Sequence, residues 1–113
     1  TDTAAADAVC NLWSSLGYDR AGFVYINDVA GEAYRTDLSS NCEVLGITVY
    51  PFVYDTGDAN GIDLQIERLV LTGVRVVHSH ILGLQDLRLV VEAAMAHNLL
   101  GPCDACASMW SVS

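Results

Sequence analysis

The chain has 113 residues, with 14 acidic side chains against 5 basic ones and a formal net charge of −9. Hydrophobic residues make up 52% and charged residues 17%, which supplies one buried core and argues against intrinsic disorder. All five cations are arginines (20, 35, 68, 75 and 88), scattered singly and with no lysine beside them, which disfavours nucleic acid and anionic membrane as partners.

The apolar runs are too short to span a bilayer, and the opening Thr1-Asp-Thr-Ala-Ala-Ala-Asp7 lacks the regions of a signal peptide. Ala6, Val9, Leu12, Trp13 and Leu16 then form a helical stripe over 5–16, closed by Gly17 and capped by Asp2 or Thr3. Residues 21–27 are aromatic and β-branched, bounded by polar pairs, and predict a first strand. A weaker helix over 31–42 carries Ala33, Tyr34 and Leu38. A second strand follows over 46–53, and its Pro51 predicts an edge position or an early departure from the sheet.

The Asp55–Gly61 cluster reads as a loop. Ile62, Ile66, Leu69 and Val70 mark a third helix, Val74–His78 a third strand, and Leu84, Leu87, Val90, Val91, Ala94 and Met95 a fourth helix that stops near Gly101-Pro102. The tail over 107–112 predicts a fourth strand. Strands starting near 21, 46, 74 and 106 leave room for crossover helices, so the pattern predicts a three-layer, doubly wound parallel α/β sheet of four strands and four helices. Val24, Ile26, Val49, Val76 and Val77 are its expected buried strand residues. The 113 residues are expected to form one α/β domain, cut from something larger because the pattern opens on a helix and closes on a strand.

Such sheets bind ligands at the carboxyl ends of their strands, here the loops 27–32, 54–58 and 78–83. No glycine-rich phosphate loop is present, and without lysine the Walker chemistry is excluded. Asp28, Asp55 and Asp58 suggest the acidic pocket of a receiver domain, but that pocket also needs a lysine; turn formation and capping account for these aspartates equally well. No nucleophile elbow surrounds Ser79, and no catalytic triad order stands out.

His78-x-His80 and Cys103-x-x-Cys106 could together offer a zinc ligand set. The histidine spacing is not that of a zinc finger, and the two pairs should lie toward opposite ends of the sheet, so no metal is expected. A disulfide between Cys103 and Cys106 is the alternative. Cys10 and Cys42 could join two helices or stay buried as thiols; sequence leaves both open.

Taken in order, several stretches resemble one family. They are Thr1-Asp2 before an alanine-rich helix, Leu16-Gly-Tyr-Asp-Arg-Ala-Gly-Phe-Val-Tyr25, Asn27-Asp-Val-Ala-Gly-Glu-Ala-Tyr34, Val74-Arg-Val-Val-His78, the Ala93–Pro102 helix end, and Trp110. They resemble the type I periplasmic-binding-protein-like ligand-binding region of extracellular receptors. That family includes metabotropic glutamate, GABA-type and natriuretic-peptide receptors and the bacterial branched-chain amino-acid binding proteins.

The resemblance implies a bilobed clamshell of which residues 1–113 are most of the second lobe. It implies a non-enzymatic, extracellular or periplasmic chain, part of a membrane receptor's ectodomain or a solute-binding protein, that needs no cofactor. Its partners would be a small molecule held between lobes, the missing first lobe of the same parent chain, and a second receptor copy in a homo-oligomer. Closure around the ligand would signal or deliver it to a transporter. In amino-acid-binding members an acid before the first helix of this lobe engages the ligand ammonium, and Asp2 followed by Thr3 stands there. The loops after the first and third strands place Asn27, Asp28, His78, Ser79 and His80 toward the cleft. A tyrosine often precedes the glycine of the first of these loops; this chain has Ala30 before Gly31. The competing reading is an intracellular flavodoxin-like or receiver-like regulatory domain, and a third is a metal-binding module.

Overall fold

A computed structural model describes residues 2–101, 103, 104 and 106–113, with Asp2 described by its backbone alone. Four helices and four strands alternate: α1 (Asp2–Ser15), β1 (Arg20–Ile26), α2 (Val29–Val44), β2 (Thr48–Tyr54), α3 (Ala59–Leu71), β3 (Val76–His80), α4 (Leu84–Ala96) and β4 (Met109–Val112). The strands form one parallel sheet in the order β2-β1-β3-β4, with α1 and α2 on one face and α3 and α4 on the other. This is the doubly wound layer that the alternation predicts.

β1 is the strand that requires both layers. Six of its seven residues are buried, and they alternate between two cores. Phe23 and Tyr25 pack with Trp13, Tyr34 and Leu38 beneath α1 and α2, while Val24 and Ile26 pack with Ile62, Ile66, Leu69 and Val90 beneath α3 and α4. Val76 and Val77 divide between the same two cores on β3.

Two sequence expectations need correction, those for Val49 and for the face of α4, while the edge position of Pro51 holds. Val49 is only half-buried, because β2 is the edge strand and the helices cover it incompletely. Pro51 does sit on that edge, yet β2 stays in register with β1 as far as Tyr54 opposite Ile26, since proline's missing N–H is tolerated there. In α4 the contact face is Val90, Ala93 and Ala94; Leu84 and Met95 are 84% and 60% exposed. The helix meets the sheet with its small residues, which allows close approach.

α1, α2 and α3 also start earlier than their apolar stripes. α1 begins at Asp2, so Thr3 lies inside it; its hydroxyl donates to Asp37 Oδ2 at 2.9 Å and ties α1 to α2. Pro102, at the expected end of the α4 segment, lies outside the described residues.

Cys10 and Cys42 form a disulfide between α1 and α2 with Cα atoms 5.0 Å apart, both fully buried, which resolves the pairing that sequence left open. Cys103 and Cys106 form the local bridge. The first closes a span of 32 residues, so removing it frees a long loop in the unfolded chain. The double variant Cys10→Ser/Cys42→Ser is expected to lose about 3–4 kcal/mol in denaturant unfolding, by the loop-entropy estimate for that span.

Candidate functional site

The chain leaves β1 toward β2 by way of α2 on one face, and leaves β3 toward β4 by way of α4 on the other. β1 and β3 are paired neighbours, with Tyr25 opposite His80 near their carboxyl ends. Those ends form the topological switch point, where open α/β sheets leave a crevice for ligands. The segments 27–28, 55–58 and 81–83 border it.

Side chains tie these loops together. Asn27 Nδ2 donates to Asp55 Oδ1 at 2.9 Å, linking the ends of β1 and β2. Asp28 caps α2 by accepting from the Gly31 N–H, and Asp58 caps α3 by accepting from the Gly61 N–H, so both aspartates satisfy helix donors that would otherwise lack partners. The Leu82 N–H donates to the Tyr54 hydroxyl at 3.3 Å, joining the β3–α4 loop to the end of β2. Asp86, in the first turn of α4, is buried and accepts from the Gly57 N–H at 3.0 Å through Oδ1, and its carboxylate also faces the Tyr54 hydroxyl. Burial pushes the Tyr54 pKa up to about 12; the Leu82 N–H opposes that rise, and the Asp86 and Asp28 carboxylates add to it. The hydroxyl therefore stays protonated at any physiological pH.

The rim is acidic and partly apolar. Arg35 is already paired with Glu32 at 3.0 Å, and Glu32 also accepts from the Tyr25 hydroxyl. Val29, Leu82 and Leu84 are 89%, 64% and 84% exposed on the loops and helix starts at this end.

Gly31 makes this arrangement possible. A Cβ there would collide with the main-chain carbonyl of Ile26, so the first turn of α2 rests directly on the end of β1.

The expected site residues separate into two groups. Asn27 and Asp28 are exposed at the carboxyl end of β1, and His80 is half-buried at that of β3, its Nδ1 enclosed and without a hydrogen-bond partner among the described residues. His78 and Ser79 are 2% and 0% exposed, which corrects their expected place at the cleft surface. β3 runs two residues farther than Val74–His78 suggests, and this draws both into the sheet interior. His78 bonds the Tyr34 hydroxyl at 2.8 Å and Ser111 Oγ at 2.6 Å, and stacks on Phe23; Ser79, on the opposite face, accepts from the Trp110 indole at 2.7 Å. Thr3 is exposed but held at the level of Asp37, two turns into α2 and away from the crevice. The Asp2 side chain lies outside the described residues.

Tyr54 and Asp86 are rim residues that the sequence does not single out, and Asp55 enters there only as part of a receiver-like acidic pocket. Tyr54 and Asp55 end the second strand, as Asn27 ends the first, and the same strand-end rule reaches them. Asp86 carries no such signal, since an aspartate in a first helical turn is ordinarily exposed.

No known family profile matches the sequence, and no curated protein is significantly similar to it. Solved structures do share its fold. A substrate-binding periplasmic protein from Ralstonia solanacearum superposes with a TM-score of 0.73 at 15% identity, over 96% of this chain and 29% of its own. An extracellular ligand-binding receptor from Rhodopseudomonas palustris HaA2 gives 0.72 at 20% identity, over 94% and 27%. A solute-binding protein of an ABC transporter from R. palustris, solved with benzoate, gives 0.77 at 14% identity, over 98% and 29%. The chain spans less than a third of the length of these proteins. Its fold, a doubly wound parallel α/β layer, is thus shared with part of these binding proteins, in keeping with the resemblance.

Two outcomes follow from the site's packing. Burial, and then His80, lowers the His78 pKa to about 4. A histidine depressed in the folded state leaves the unfolded chain the better proton acceptor, so this contribution to stability is complete above the unfolded value of about 6.5 and is lost toward pH 4. Denaturant unfolding at pH 7 and pH 4.5 should differ by roughly 2–3 kcal/mol from this group, and His78→Asn should flatten that slope. Gly31→Ala should cost about 1–3 kcal/mol in the same measurement, because the added methyl meets main chain that cannot rotate away.

Proposed function

We propose that this chain is one lobe, the second, of a bilobed, non-catalytic binding protein that works outside the cytoplasm and holds a small molecule against the carboxyl edge of its sheet. The observation that carries the reading is the cross-linked rim at the β1/β3 switch point, on a fold shared over nearly the whole chain with periplasmic and extracellular binding proteins. A rim whose loops are already bonded to one another presents fixed polar groups, and a ligand then meets little ordering cost.

Asn27, Asp28 through its remaining carboxylate oxygen, and His80 form the ligand-facing set, with Asp2 as the acid that the family resemblance implies; Thr3, bonded to Asp37, serves instead to tie α1 to α2. His78 and Ser79 act from behind as positioning residues, fixing β3 between β1 and β4. The second wall of the cleft belongs to the other lobe of the parent protein, and closure of the two walls over the ligand transmits binding to an effector or transporter. Receptor copies pair through the ectodomain. Two disulfides in a chain of this size fit an oxidising compartment and disfavour an intracellular regulatory domain.

Half a cleft leaves a ligand largely solvated, so the lobe alone should bind weakly. Calorimetric titration with small carboxylates and amines should give at least about a hundredfold weaker binding to the 113-residue chain than to the longer protein carrying both lobes. In the longer protein, Asn27→Ala and His80→Ala should each weaken binding about tenfold, the cost of one lost polar contact. Equal affinity for chain and longer protein would contradict the clamshell.

A further inference from the structure

The two disulfides differ in burial and in the length of chain they close. Cys10–Cys42 lies between α1 and α2 with both residues at 0% exposure. Cys103–Cys106 spans only three positions in the turn between α4 and β4, with Cys103 exposed and Cys106 at 3% exposure. An incoming thiolate can therefore reach one sulfur of the second bridge without opening the fold, and cannot reach the first until α1 and α2 separate.

The turn around Cys103–Cys106 is also held by bonds that do not need the bridge. The Ala107 N–H donates to the Leu99 carbonyl at 2.7 Å, and the Ser108 N–H to the Arg75 carbonyl at 2.7 Å. Arg75 Nη1 donates to the main-chain carbonyl of Asp104 at 2.8 Å, inside the turn itself. This sets a guanidinium charge beside the turn, where it favours a thiolate leaving group; the exposed Asp104 carboxylate is the opposing charge. Reduction consequently leaves the turn anchored at both sides.

We infer that Cys103–Cys106 is a thiol–disulfide exchange site, open to a dithiol, and that Cys10–Cys42 is a permanent structural bridge. The attacking thiolate of the dithiol bonds to the exposed Cys103 sulfur, the Cys103–Cys106 bond breaks, and Cys106 leaves as the thiolate. The second thiol of the dithiol then attacks its own sulfur in the mixed disulfide and releases Cys103. The dithiol ends as a disulfide and the chain as two thiols, with two electrons and two protons transferred. Direction matters in this scheme: the exposed sulfur is attacked and the buried one departs. The site lies at the amino end of β4, remote from the crevice, so exchange there is separate from ligand binding.

The test is selective reduction of the folded 113-residue chain by dithiothreitol, quenched at intervals with iodoacetamide and read by peptide mass spectrometry. Cys103 and Cys106 should be alkylated at least about a hundredfold faster than Cys10 and Cys42, with far-ultraviolet dichroism unchanged, because local opening is far more frequent than global unfolding. Simultaneous labelling of all four cysteines, or resistance of all four until dichroism is lost, would overturn the inference. A second measurement isolates the direction. The single thiol of Cys106→Ser should react with a soluble aromatic disulfide about tenfold faster than that of Cys103→Ser. Equal rates, or faster reaction of Cys103→Ser, would sink the assigned order of attack.

Discussion

The burial of β1 on both faces is the constraint on which the rest depends. A strand with six buried residues of seven cannot be covered by one helical layer. Parallel pairing on both sides forces every connection to cross from one end of the sheet to the other. Helix starts and strand ends are thereby gathered along one edge. The candidate site follows from this covering of the central strand, and its side chains are those that end strands and begin helices there.

At that edge the chain uses short polar residues twice. Asp28 and Asp58 satisfy helix N–H groups, and in doing so fix the loops from which Asn27 and Asp55 reach each other. Asp86 is more costly: a carboxylate with 3% exposure needs compensation, which the Gly57 N–H and the neighbouring Tyr54 hydroxyl supply. It accepts the Gly57 N–H from the β2–α3 loop, which ties that loop to the start of α4. The same economy appears at β3, where a neutral imidazole can accept at one ring nitrogen and donate at the other. His78 thus joins α2 to β4 through Tyr34 and Ser111 without a buried charge.

The sequence by itself determined the alternation of helices and strands, the edge position of β2 through Pro51, and the edge of the sheet at which to look for a site. These are local signals: apolar period, turn chemistry and the missing N–H of proline are each read within a few residues. The expected ligand positions Asn27, Asp28 and His80 came from the same local rule together with the family resemblance. What tertiary structure decided are the relations between residues far apart in the chain. Cys10 found Cys42 only because α1 and α2 share a face. His78 and Ser79 went into the interior because β1 and β4 flank β3 on both sides, whereas a strand end read alone looks like a surface loop. Asp86 joined the rim because α4 begins beside Gly57. Each depends on which strand lies next to which, and a period of two or of 3.6 residues fixes the face of an element without naming its neighbour.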